Sequence, residues 1–161
     1  MEPKGTFEGK KILAVDDERD VLEVIAEQLE GAHLITASDF ESAKQVIESE
    51  PLDLVILDIM GVKGFDLLDL AREQQLPAVM LTAHSVTARS FQRAIDKKAV
   101  SFLPKEELAR LDELILEIFE ELARGRTHWT KLAQRLGPTF KRLWGETWEQ
   151  IKFPQDPNIS W

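Results

Sequence analysis

Five residues with chemically useful side chains fall at or just past the ends of apolar runs: Asp16, Asp17, Asp58, Thr82 and Lys105. Asp58 closes Leu54-Val55-Ile56-Leu57, a run that begins after Pro51 and gives way to Ile59-Met60-Gly61. Such a run reads as a strand buried on both faces. A carboxylate at its C-terminal end lies where open α/β sheets bind ligands. Buried there alone it is costly, so it calls for a cation or a reaction that changes its charge. On its own, Asp58 could equally be a loop cap; its companions decide otherwise. Asp16 and Asp17 end Lys11-Ile12-Leu13-Ala14-Val15, Thr82 ends Pro77-Ala78-Val79-Met80-Leu81, and Lys105 follows Ala99-Val100-Ser101-Phe102-Leu103-Pro104. In a parallel sheet these ends converge on one edge. Three clustered carboxylates raise one another's pKa, and a hard divalent cation with oxygen ligands, Mg²⁺, relieves the conflict. With a lysine opposite and a hydroxyl nearby, the set would suit a phosphoryl group.

The elements that must hold these residues alternate. Val21, Leu22, Ile25 and Leu29 recur at helical spacing up to Gly31; His33–Ala37 reads as a second strand; Ser38 or Asp39 caps a helix carrying Ala43, Val46 and Ile47. Gly64 opens a helix ending near Gln75, Val86–Asp96 reads as a fourth, and Glu106–Arg124 as a long fifth. Five strands alternating with five helices predict a doubly wound five-stranded parallel sheet, covered on both faces and joined by right-handed crossovers.

Charge divides the chain. Residues 1–123 hold 13 Lys/Arg against 26 Asp/Glu, whereas 124–161 hold seven against three and all four tryptophans, Trp129, Trp144, Trp148 and Trp161. The expected organisation is a lead-in over 1–9, a domain over 10–124 and a basic, Trp-rich helical extension over 125–161. Within the extension, Trp129, Leu132, Ala133 and Leu136 share a helical face. Gly137-Pro138 is expected to break it, so two short helices and a coil are predicted. Absence of cysteine excludes disulfides and thiolate metal sites. No apolar stretch approaches a membrane span and Met1-Glu2-Pro3-Lys4 is unlike a secretory signal, so a cytoplasmic protein is expected.

Residues 10–124 resemble the receiver domain of two-component response regulators. The matching pieces are Ala14-Val15-Asp16-Asp17-Glu18, Leu54-Val55-Ile56-Leu57-Asp58-Ile59-Met60, Thr82-Ala83, and Phe102 three residues before Lys105. The resemblance implies a flavodoxin-like fold of five βα units and a phosphorylation switch that is not a turnover enzyme. Asp58 would be the phosphoacceptor; Asp16, Asp17, Asp58 and the Met60 backbone carbonyl would hold Mg²⁺; Lys105 would pair with the phosphoryl group. Thr82 would move to bond that group and Phe102 would swing inward behind it. His84 stands where the family tunes access to the phosphoryl group, although a plain surface role fits it as well; His33 and His128 read as structural. Expected partners are a sensor histidine kinase or phosphotransfer protein and a downstream protein target. The output surface would lie around the fourth and fifth helices and the fifth strand.

Two departures stand out. The loop after Asp58 is about two residues shorter than the common form and lacks its proline. Proline precedes Lys105 instead of following it, so the Lys105-Glu106 bond is read as trans. Competing classes fit worse. Gly5-Thr6-Phe7-Glu8-Gly9-Lys10-Lys11 is one residue short of a nucleotide-binding phosphate loop and precedes its strand. An Asp-nucleophile phosphatase would carry a second Asp where Met60 stands. For the extension, packing on its own domain or on a partner protein ranks first and homodimerisation second. DNA or an anionic membrane ranks last, because its apolar residues form stripes suited to a protein face.

Overall fold

The computed structural model describes residues 7–83 and 87–153. Five parallel strands, β1 (Lys11–Val15), β2 (His33–Ala37), β3 (Leu54–Asp58), β4 (Ala78–Thr82) and β5 (Ser101–Pro104), line up in the order β2-β1-β3-β4-β5. The predicted doubly wound sheet is therefore present. Helices α1 (Arg19–Gln28), α2 (Phe40–Ser49), α3 (Gly64–Glu73), α4 (Ala88–Asp96) and α5 (Leu111–Ala123) follow the strands in turn. Every residue of β3 and β4 is buried, as expected for central strands covered on both faces, whereas the edge strand β2 leaves His33 and Thr36 exposed. Among the described residues, no helix is long and apolar enough to cross a membrane.

Local chemistry sets the entries to the helices. Asp39 accepts a 2.8 Å bond from the Ser42 amide at the start of α2, which also holds its carboxyl below the usual range. Thr87 caps α4 through the Ser90 amide at 3.2 Å. Gly64 has no alternative: a Cβ there would run into the Asp58 carbonyl and the Ile59 backbone, so α3 starts directly against the end of β3.

Four expectations need correction. Residues 105–110 form a 3-10 segment and α5 begins only at Leu111, where the buried positions Leu111, Leu114, Ile115 and Ile118 begin; the segment itself buries no side chain and so has no apolar face to hold a 3.6-residue period. β5 is shifted to Ser101–Pro104, and because it is an edge strand the missing proline amide costs it no ladder bond. Phe7, assigned to the loose lead-in, is buried in the core. Gly137-Pro138 does not divide the extension: α6 (Trp129–Trp144) runs through both, and α7 (Glu146–Glu149) follows Gly145, whose φ is 57°. An interior proline costs a helix about 3 kcal/mol. Burial of Trp129, Leu132, Leu136 and Phe140 along one face outweighs that. The chain after Phe153, with Trp161, lies outside the described residues, as does His84.

α6 packs on β5, α4 and α5, which is the face expected for output. The Trp129 indole donates 2.9 Å to the Ala99 carbonyl, and the His128 amide donates 3.1 Å to Val100. Basic side chains of the extension meet the acids of α5: Arg126 and Lys131 on Glu121 at 2.6 and 3.2 Å, Arg135 on Glu117 at 2.8 Å and on Glu113 at 3.1 Å. His128, fully buried, bridges Ser101 and Glu117 at 2.7 and 2.6 Å.

Candidate functional site at the sheet edge

The ends of β1, β3 and β5 deliver one ammonium between several carboxylates. Lys105 Nζ lies 2.8 Å from Glu18, 3.0 Å from Asp16 Oδ2 and 3.4 Å from Asp58 Oδ1. Asp16 follows β1 and Asp58 ends β3, and both are buried; Lys105 leaves β5 immediately after Pro104. All described peptide bonds are trans, the Lys105-Glu106 bond among them.

Asp16 is 0% exposed, yet its two oxygens differ. Oδ1 accepts 2.8 Å from the Glu18 amide, a turn that leads the chain into α1. Oδ2 has no hydrogen-bond partner; the nearby Lys105 ammonium approaches at an angle that gives charge contact without a directed bond. Burial pushes the Asp16 carboxyl above its ordinary range. Burial, with the Asp16 charge beside it, pushes Asp58 up to about 6, and Lys105 offsets part of this. Lys105 is held above the usual lysine range: burial works against its charge, but hydrogen bonding to Glu18 and the flanking acids prevail.

Among the described residues, Asp16, Asp17 and Glu18 are the group of carboxylates able to close on one ion, each offering an oxygen within 4.8 Å of the others. Asp17 is exposed at the rim, with its carboxylate against Gly61. A Cβ at Gly61 would strike that carboxylate, and its φ of 74° independently favours glycine. Around Gly61 the chain makes a γ-turn in which the Met60 carbonyl accepts 2.8 Å from the Val62 amide, leaving its second lone pair. The Met60 side chain is 66% exposed beside it. Asp58, expected as a ligand, is not in that group of carboxylates and shares Lys105 with Asp16; Asp16, Asp17 and Glu18 with the Met60 carbonyl offer oxygen alone, which fits Mg²⁺ in its chemistry.

Thr82 is buried, and its hydroxyl proton goes to the Ala83 carbonyl at 3.1 Å. Phe102 is fully buried, edge-on to Phe91 at 4.6 Å. Glu18, which makes the shortest contact to Lys105, received no role from the sequence. It stands directly after Asp16-Asp17, but only the folded path of β5 brings Lys105 to it.

Comparison with known proteins gives a consistent picture. The family model of the response regulator receiver domain matches residues 12–118, so α6 and α7 lie beyond it. The alkaline phosphatase synthesis transcriptional regulatory protein PhoP of Bacillus subtilis is 35% identical over 119 residues, 66% of this chain and 48% of that protein. The transcriptional regulatory protein CpxR of Escherichia coli is 34% identical over 129 residues, 77% of this chain and 53% of that protein. The chain therefore spans about half the length of these relatives. The crystal structure of the receiver domain of NtrX from Brucella abortus is 35% identical with a TM-score of 0.56, covering 66% of this chain and 98% of that one. A response regulator from Thermotoga maritima, 23% identical with a TM-score of 0.59 over 66% of this chain and 93% of its own, shares the fold.

Proposed function

The chain belongs to the response regulator receiver family of two-component signalling, and from that premise we propose that Asp58 accepts a phosphoryl group from a histidine kinase or phosphotransfer protein. Residues 10–124 form the receiver in this reading and 125–161 its extension. The observation that carries it is the Lys105 ammonium between two buried acids, 3.0 Å from Asp16 and 3.4 Å from Asp58, with Asp16 Oδ2 left without a hydrogen bond. Asp16, Asp17, Asp58 and the Met60 carbonyl would hold Mg²⁺. When bound, the ion supplies positive charge against the phosphoryl oxygens.

The ionised carboxylate of Asp58 attacks phosphorus in line. The bond from phosphorus to the donor nitrogen breaks, its electron pair leaves with the donor, and an aspartyl phosphate remains. Lys105 turns its ammonium from Asp58 to a phosphoryl oxygen. Thr82 gives up the Ala83 carbonyl and donates its proton to the same group. The result is a protein that stores a charge change and signals through altered protein contacts, a switch and not a turnover enzyme. Nucleic acid finds little support as a partner of the extension, because Arg126, Lys131 and Arg135 are paired with α5.

Incubation with acetyl phosphate and Mg²⁺ is expected to add one phosphoryl group, stable in acid and lost in base, to the native chain and none to Asp58→Asn. Equal labelling of Asp58→Asn would overturn the assignment, and continuous phosphate release without a retained adduct would favour a hydrolase.

A further inference from the structure

Glu18 stands at the N-cap of α1, yet its side chain makes no hydrogen bond to that helix. An N-cap side chain ordinarily turns back to the first free amides. Here the carboxylate reaches across the sheet edge instead, where Oε1 accepts a 2.8 Å hydrogen bond from Lys105 Nζ. The helix starts on the Glu18 backbone: its carbonyl accepts from the Val21 and Leu22 amides at 3.2 and 3.3 Å. The local fold therefore gives the Glu18 carboxylate no task, and its one strong contact is with the site lysine.

The three acids around Lys105 differ in what it costs them to release it. The side chains of Asp16 and Asp58 are 0% and 5% exposed, whereas that of Glu18 is 61% exposed. A buried carboxylate that loses its cation keeps an uncompensated charge; an exposed one is taken over by water. Glu18 is thus the most easily released partner, and at 2.8 Å against 3.4 Å it also holds the ammonium closer than Asp58 does.

We propose that Glu18 is an internal competitor for Lys105: its carboxylate engages the ammonium that a phosphoryl group on Asp58 requires, and so weakens the hold of the site on that group. This rests on the function proposed above and names a residue that tunes it. Glu18 is a positioning residue, acting through Lys105. Lysine has three N–H donors but one charge, and here that charge is divided among three acids. Removing Glu18 from the set leaves more of it for the phosphoryl oxygens. Loss of a negative charge beside an incoming anion acts in the same direction.

The full chain with beryllium fluoride, a non-covalent phosphoryl mimic, tests this by titration calorimetry at saturating Mg²⁺. Glu18→Gln is expected to bind the mimic about two- to five-fold more tightly than the native chain, the range for an ion pair with one exposed partner. Glu18→Asp separates competition from bare charge. It keeps the charge, but aspartate is shorter and a preferred N-cap, so its oxygen turns to the α1 amides and leaves Lys105. It should bind the mimic more tightly as well. Urea midpoints near the native value would show that both variants fold. A mimic bound equally or more weakly by Glu18→Gln, the result if Glu18 were instead a ligand of the ion, would overturn the inference while Asp58 labelling stands. Tightening in Glu18→Gln with native affinity in Glu18→Asp would overturn competition for Lys105 and leave charge repulsion alone. No mimic binding together with no labelling of the native chain would overturn the proposed function and this inference with it.

Discussion

At the sheet edge, Asp16 and Asp58 are buried and share a single lysine. In the other region, Phe91 is enclosed by the rings of α6 and its neighbours. The first region carries unfavourable terms: burial raises two carboxyl pKa values, which one lysine only partly offsets. The second is favourable on balance: rings in edge-to-face, tilted and stacked contact, a satisfied indole and paired surface charges outweigh one interior proline and one buried imidazole. Stability stored in the aromatic face offsets strain kept at the acidic edge. A receiver needs that strain, because a carboxylate already fully satisfied would have no reason to take a ligand.

The contrast can be broken first at its stable end. Phe91→Ala should destabilise the chain by about 3–5 kcal/mol in urea unfolding, with tryptophan emission shifted to the red. A loss under about 1 kcal/mol would mean that α6 is not part of the core. Asp58→Asn should do the reverse and stabilise the chain, by on the order of 2 kcal/mol at pH 7.5 without divalent cations. A carboxyl whose folded pKa stands near 6 is destabilising when ionised, and that cost is relieved as pH falls through 6. His128 has the opposite sign. Burial holds its imidazole below the ordinary value although Glu117 pulls it up, so the fold favours the neutral ring and loses stability as pH falls. Between about pH 7 and 5, Asp58→Asn should therefore lose stability and His128→Gln should gain it, each relative to the native chain, as read from urea midpoints. Parallel pH profiles would show that the two regions do not differ as described.

Magnesium should act on the acidic edge alone. At ten times its dissociation constant it should raise native stability by about 1.4 kcal/mol and leave Asp16→Asn unchanged. The smallest effect is expected at the partly exposed rim of the aromatic face. Arg135→Ala should cost about 0.5–1 kcal/mol, less in high salt.

The two regions also differed in how far the sequence disclosed them. Asp16, Asp58 and Lys105 could be placed together because a residue after an apolar run has a fixed address in a parallel sheet. Glu18 escaped, since its ion pair depends on a side-chain rotamer and on the route of a strand 87 residues away. The stripe of Trp129, Leu132 and Leu136 announced a buried face without saying what it covers. His128 had no visible pattern because its partners, Ser101 and Glu117, come from separate elements 27 and 11 residues earlier. Gly137-Pro138 misled for a physical reason: a local helix breaker was weighed without the tertiary burial that α6 gains along its length. The same omission made one helix of the 3-10 segment and α5.

The most direct test of Asp58 as the phosphoacceptor is chemical trapping. After reaction with acetyl phosphate, borohydride reduces an acyl phosphate to an alcohol, and peptide mass spectrometry locates the converted residue. One reduced side chain at Asp58, formed with Mg²⁺ and absent with EDTA, is the expected result. Conversion at Asp16, Asp17 or Glu18 instead, or at Asp58 in equal yield without metal, would contradict it.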